Sequence, residues 1–109
     1  MPHLLDNVVL DHLAHDLRAA TLGSDHEAAT RLTVEYSAAL REHWTRLSPE
    51  ERAASPLPKQ SIELLNWVRD MTLMQHAIAA EHLALAQKAG RALAARALYL
   101  QTSALDARR

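Results

Sequence analysis

Residues 22–27, Leu-Gly-Ser-Asp-His-Glu, separate two stretches of sequence that contain neither proline nor glycine. Gly23 supplies the flexible or left-handed residue that often ends a helix, and Ser24 begins the Ser-x-x-Glu pattern of a capping box. The segment therefore predicts a tight turn between a helix at 4–22 and a helix at 25–47. Two helices joined by so short a turn are expected to form an antiparallel hairpin.

Each of the two stretches places its apolar residues on one helical face. In the first stretch this face consists of Val9, Leu10, Leu13, Leu17 and Ala20. In the second stretch a seam at steps of three and four residues consists of Ala29, Leu32, Tyr36, Leu40, His43 and Leu47. Because side chains with this spacing pack against a partner helix, the two faces are predicted to meet in the core of the hairpin.

The rest of the chain is also predicted to be helical. Ser48 and Pro49 predict a single capped turn inside the connection that follows the hairpin. A third helix is predicted over residues 59–89. Since glycine is unfavourable inside a helix, Gly90 is expected to end or bend this helix before a short fourth helix over residues 91–105.

The composition favours one all-α domain, a three- to four-helix bundle over residues 1–109. The chain contains 21 Ala and 19 Leu, whereas the β-branched and aromatic residues typical of strands are scarce. A length near 100 residues fits a single domain that buries its own core.

The charge balance and the cysteine count exclude several classes of protein. Zero Cys excludes disulfide scaffolds and thiolate metal sites. The 12 Lys and Arg against 13 Asp and Glu argue against nucleic-acid binding, which usually requires a large basic excess. The sequence has no apolar run long enough to span a membrane and no signal-peptide pattern, so we expect a cytoplasmic protein without a membrane partner.

The one local cluster of potential metal ligands is the pair His12 and His15 on the polar face of the first helix. Two histidines at this spacing can share a metal, so a metal-binding helical bundle is an alternative, although the pattern is more typical of a solvated face. The chain has no His-Glu-x-x-His motif, no nucleophile elbow and no glycine-rich phosphate loop. We therefore expect neither a cofactor nor an enzymatic activity.

The third predicted helix carries more large apolar side chains than one hairpin can cover. They include Leu64, Leu65, Val68, Met71 and Met74. Methionine thioethers are flexible and adapt to varied partners. Three interpretations are open: ordinary core packing, binding of a partner helix, and self-association as a homodimer or other structural assembly.

The order of these elements resembles the small flagellar type III export chaperones of the FliT kind and, more loosely, those of the FlgN kind. The closest likeness is the turn at residues 22–27. It continues along the second helix through Leu32, Glu35 and Tyr36, and in a later helix that opens with Ser61 and Ile62 and carries Leu65, Val68, Met71 and Thr72. The resemblance covers most of the chain.

The resemblance implies a chaperone that binds the helical C-terminal part of a secreted flagellar subunit, a filament-cap or hook-associated protein. Such a chaperone prevents premature assembly of the subunit and hands it to the export ATPase. The partner-binding residues would be Leu64, Leu65, Val68, Met71 and Met74. The resemblance also implies that the fourth helix covers this face in the free state, which would give Leu93, Ala97 and Leu100 a gating role.

Overall fold

The structure of the chain is a computed structural model that describes residues 4–107. Within this range there are four helices: α1 (Leu4–Leu22), α2 (His26–Arg46), α3 (Pro49–Ala54) and α4 (Leu57–Ala107). The same residues contain no strand, so the prediction of an all-α fold is confirmed. None of these four helices combines the length and the apolar character that crossing a membrane requires.

The chain divides into two compact units between Met74 and Gln75. The N-terminal unit, Met1–Met74, contains α1, α2, α3 and the first part of α4. The C-terminal unit, Gln75–Arg109, contains the remainder of α4. The assignment of residues 1–109 to a single domain stays a prediction.

The core of the N-terminal unit lies where α1, α2 and the first part of α4 meet. Its buried apolar residues are Leu10, Leu17, Ala29, Leu32, Tyr36 and Leu64. Every position of the seam predicted on α2 is buried or half-buried, which confirms that seam as the core face. On α1, Leu10 and Leu17 are buried as expected, whereas Val9 is 50% exposed. The hydrophobic periodicity therefore identifies most of the hairpin core.

The turn between α1 and α2 differs from the predicted capping box by one residue. Ser24 has the left-handed conformation, with φ 56°, and the amide of Asp25 donates to the carbonyl of Ala20 at 3.0 Å, as in a Schellman motif. Asp25 then caps α2, because its side chain accepts a hydrogen bond from the amide of Ala28 at 3.1 Å. Ser24 does not cap α2 because its left-handed backbone conformation ends α1, and the carboxylate of Asp25 also interacts favourably with the dipole of α2.

The helix α3 is the single capped turn predicted for the connection, and this prediction is confirmed. Ser48 and Glu51 form a complete capping box, and Pro49 is the first helical residue. Arg52 joins α3 to the end of α2, since its Nε donates to the carbonyl of Trp44 at 3.0 Å and its guanidinium lies 5.9 Å from the Trp44 ring. These contacts hold α3 against the end of α2, two residues before α4 begins.

The helix α4 is continuous through Gly90, so the predicted helix end and the separate fourth helix over residues 91–105 are wrong. The helix also begins at Leu57, two residues before the predicted start. A single glycine costs only about 1 kcal/mol relative to alanine, and the surrounding Ala, Leu, Lys and Arg residues are strong helix formers. Among the described residues, no atom outside the local helix lies within 4 Å of a Cβ built at Gly90.

Candidate partner-binding groove

An open groove of about 770 Å³ lies in the N-terminal unit between α1 and the first part of α4. It is lined by Leu10, Asp11, Ala14 and Arg18 of α1, Tyr36 of α2, and Leu57, Gln60, Glu63, Leu64 and Trp67 of α4. A helical segment of two turns, about 10 Å wide and about 11 Å long, fills a cylinder of about 850 Å³. The volume of the groove is therefore close to that of two helical turns, and because the groove is open, part of such a helix would lie outside it.

The lining combines apolar side chains with charged ones. Leu10 and Leu64 belong to the buried core, and the half-buried Trp67 packs against that core. Arg18 and Glu63 are exposed and carry opposite charges on α1 and α4. Asp11 is a third exposed charged residue in this lining. An amphipathic helix suits this arrangement, because its apolar stripe can contact the apolar lining while its polar flanks meet the three charged side chains.

The hydroxyl of Tyr36 is the polar group that α2 contributes. Tyr36 is 4% exposed, and burial raises the pKa of its hydroxyl above the ordinary value of 10.0. The positive charge of Arg18 lowers this pKa by a smaller amount, and the negative charge of Asp11 raises it slightly. The hydroxyl therefore stays protonated near neutral pH and can donate a hydrogen bond in the groove.

The structure separates the five residues predicted to bind a partner. Leu64 is 5% exposed and belongs to the core, although it also lines the groove. Leu65 and Val68 are half-buried and pack against the same core. Met71 is half-buried, and Met74 is 49% exposed. These residues thus do not form one exposed face, and their role in partner binding stays a prediction.

Sequence reasoning did not identify the wall of the groove that α1 provides. Asp11 and Arg18 fall on the polar face of α1, seven residues apart, where a solvated surface is the usual interpretation. Ala14 lies between them at i+3 from Asp11 and supplies a small side chain where longer ones would narrow the groove. The alanine between two charges is the one sequence signal for this wall.

The residues predicted for gating and for metal binding are all exposed. Leu93, Ala97 and Leu100 lie in the C-terminal unit, on the continuous α4, and their gating role stays a prediction. His12 and His15 are exposed on α1. Within residues 4–107, no three His, Asp or Glu side chains come close enough together to hold a metal ion.

A hydrogen-bonded cluster joins the beginning of α1 to the end of α2. The Nδ1 of His43, a residue only 3% exposed, donates to Asp6 at 3.1 Å, and Arg46 donates to the other carboxylate oxygen of Asp6 at 2.7 Å. Arg46 also contacts Glu42 at 2.7 Å. The hydrogen bond that His43 donates lowers the pKa of Asp6 below the ordinary value of 3.8. The hydrogen bond and the positive charge of Arg46 lower this pKa as well, whereas desolvation raises it. The cluster therefore fixes the antiparallel pairing of the two helices.

We expect this cluster to make the hairpin sensitive to acid. Because the pKa of Asp6 is lower in the folded protein than in the unfolded chain, the unfolded chain binds the proton first, and stability falls as the pH drops below about 4. Between about pH 6 and about pH 3, the free energy of unfolding measured with urea should fall less for Asp6→Asn than for the wild type. The exposed Asp16 provides the control Asp16→Asn. Equal losses for wild type and Asp6→Asn would contradict the expectation.

Comparison with models of known protein families, with curated proteins and with solved structures finds no match to this chain.

Proposed function

We propose that the protein is a cytoplasmic export chaperone that binds an amphipathic helix of a secreted flagellar subunit in the groove between α1 and α4. The observation that carries the proposal is the open groove itself, which is close in volume to two helical turns. Its buried and half-buried apolar side chains lie beside the exposed polar side chains of Asp11, Arg18, Gln60 and Glu63. The resemblance to chaperones of the FliT kind supplies the class of partner, a filament-cap or hook-associated protein. The chaperone would prevent premature assembly and pass the subunit to the export ATPase.

The physical logic of such a chaperone follows from how filaments assemble. A subunit that polymerises through amphipathic helices exposes apolar stripes before it reaches the growing end, and these stripes associate with one another unless they are covered. A groove that takes one such stripe covers it reversibly, because only part of the helix surface is buried. Binding of this kind needs shape and apolar lining rather than catalytic groups.

The apolar wall of the groove continues along α4 within the N-terminal unit. Leu64, Trp67, Met71 and Met74 follow one another at steps of three and four residues, so they lie along one line of the helix. Exposure rises along this line from 5% at Leu64 to 49% at Met74. A bound helix longer than two turns would therefore meet the two methionines after it leaves the groove.

Substitution of Met71 tests the proposal without touching the core residues. We expect Met71→Asp to reduce co-purification of a co-expressed filament-cap or hook-associated subunit by about tenfold or more, because a carboxylate would face the apolar stripe of the partner. Leu73→Asp is the matched control, since Leu73 is 61% exposed and lies on another face of the same helix. Far-UV circular dichroism should show both variants to be as helical as the wild type.

A second pair of variants probes the opposite wall of the groove. Ala14→Gln places a longer side chain in the groove and should weaken capture, whereas Ala19→Gln on the exposed side of α1 should not. The proposal is wrong if no export subunit co-purifies with the wild-type protein. It is also wrong if Met71→Asp and Ala14→Gln capture the subunit as well as their controls do.

A further inference from the structure

The C-terminal unit presents an unusually apolar surface for a single helix. Every side chain from His76 to Asp106 is exposed. Among them the large apolar residues are Ile78, Leu83, Leu85, Leu93, Leu98, Tyr99, Leu100 and Leu105. Where exposed apolar side chains of this kind line up along one side of a helix, they mark an interaction site, because their burial against a partner lowers the free energy.

The pattern along this helix contains one uninterrupted heptad seam. Steps of four and three residues alternate through Ala79, Leu83, Ala86, Gly90, Leu93, Ala97, Leu100 and Ala104, which we call the C-terminal seam. The mean step of 3.5 residues is that of a coiled coil, so these positions stay on one side of the helix as it winds around a partner. The polar residues Glu81, Lys88 and Thr102 lie on the opposite side, where a paired helix would meet water.

We propose that the C-terminal seam pairs with the same seam of a second copy of this chain, in an antiparallel two-stranded coiled coil. One antiparallel register brings Leu83 opposite Leu100 of the second copy and Ala86 opposite Ala97 of the second copy. The same register brings Gly90 opposite Leu93 of the second copy. The first two layers join residues of equal size, whereas the layer nearest the centre joins the smallest residue of the seam to a leucine. The two-fold symmetry repeats each layer on the other side of the centre.

Gly90 distinguishes this arrangement from a parallel one. In a parallel pair Gly90 would face Gly90 of the second copy and leave a gap in the core, whereas in the antiparallel register Leu93 of the second copy fills that space. Within the chain itself no described atom approaches a Cβ at Gly90, and the glycine is unfavourable for the helix. The close approach of a second helix accounts for a glycine that the single helix does not need.

The available area is at the lower limit for a specific dimer. From Gln75 to Asp106 the helix is about 46 Å long, and a strip about 10 Å wide gives roughly 500 Å² on each copy. The two strips together approach the roughly 1,000 Å² that a specific interface needs. We therefore expect a dimer that forms at high micromolar concentration and dissociates on dilution.

Analytical ultracentrifugation of the full chain over a range of concentrations tests the pairing. We expect Leu100→Asp to raise the dissociation constant of the dimer about tenfold or more, because it places a charge in a leucine layer. Leu98→Asp is the matched control: Leu98 is 65% exposed, Leu100 is 57% exposed, and only Leu100 belongs to the seam. A monomer at all concentrations up to several hundred micromolar would overturn the proposal, as would equal effects of the two variants.

Engineered cysteines test the direction of pairing, since the chain has no cysteine of its own. In the antiparallel register, a mixture of the Ala86→Cys and Ala97→Cys proteins should form a disulfide-linked heterodimer on mild oxidation. Neither protein should form a disulfide-linked dimer on its own. The two copies of residue 86, like the two copies of residue 97, would lie about 16 Å apart along the axis, beyond the reach of a disulfide. Efficient crosslinking of Ala86→Cys with itself would overturn the antiparallel register. The seam lies in the C-terminal unit and the groove in the N-terminal unit, so failure of one proposal is distinguishable from failure of the other.

Discussion

Replacement of Leu17 by alanine is expected to lower the free energy of unfolding of the N-terminal unit by about 3 kcal/mol, within the 2–5 kcal/mol range of large-to-small substitutions in cores. Among the residues that the structure describes, Leu17 is the one apolar core side chain that is completely buried, and it belongs to the cluster that joins α1 to α2. Its truncation removes transfer free energy and leaves a cavity that two paired helices cannot close. Urea unfolding followed by far-UV circular dichroism measures the change.

The control for this expectation is Leu5→Ala on the same helix. Leu5 is 80% exposed, so the same chemical change there should alter the free energy of unfolding by less than about 0.5 kcal/mol. The contrast matters because small domains have only about 5–15 kcal/mol of total stability, and a loss of 3 kcal/mol is a large part of it. Similar losses for Leu5→Ala and Leu17→Ala would show that the hairpin core does not lie where the structure has it.

The hairpin is the part of the fold that the sequence predicts best, and the reason is that its signals are local. The seam from Ala29 to Leu47 needs only a helical period to be recognised, and the capped turn at Ser48 and Pro49 needs only residue types at fixed offsets. The turn between α1 and α2 shows the limit of such signals. Both Ser24 and Asp25 are good caps, and the backbone conformation at Ser24 decides between them.

The end of the third predicted helix shows a different limit. Glycine at position 90 is a helix breaker by propensity, but its cost of about 1 kcal/mol is small beside the sum over a long run of alanine and leucine. Whether a glycine ends a helix therefore depends on its neighbours and on what packs against it. If a second copy packs against Gly90 as proposed, the residue that suggested a break in the helix is instead part of an interface.

The groove could not be predicted from the sequence because it arises from the distance between two helices. Trp67 on α4 and Ala14 on α1 are separated by more than 50 residues, and nothing in either local pattern says how far apart the helices lie. The connection through α3, which Arg52 joins to Trp44 of α2, leads into α4 and is likewise not described by the period of either helix. The periodicity indicated an apolar surplus on this part of α4 but left open whether Leu64 packs in the core or binds a partner, and the structure places it in the core.

The burial of Leu64 in the core leads to a second prediction about stability. Leu64→Asp is expected to lower the free energy of unfolding by about 4 kcal/mol or more, because it removes a core leucine that is 5% exposed and puts an unpaired carboxylate in its place. Met74→Asp, on the same helix but 49% exposed, should change it by less than about 1 kcal/mol. Urea unfolding of both variants measures the difference.

The outcome decides how partner binding can be studied in this protein. If Leu64→Asp unfolds the N-terminal unit while Met74→Asp does not, loss of capture by a Leu64 variant says nothing about the groove, and only less buried positions such as Met71 and Ala14 report on binding. If instead Leu64→Asp is as stable as the wild type, α4 contributes little to the core. Its first part would then pack on the hairpin too weakly to form the second wall of a preformed groove.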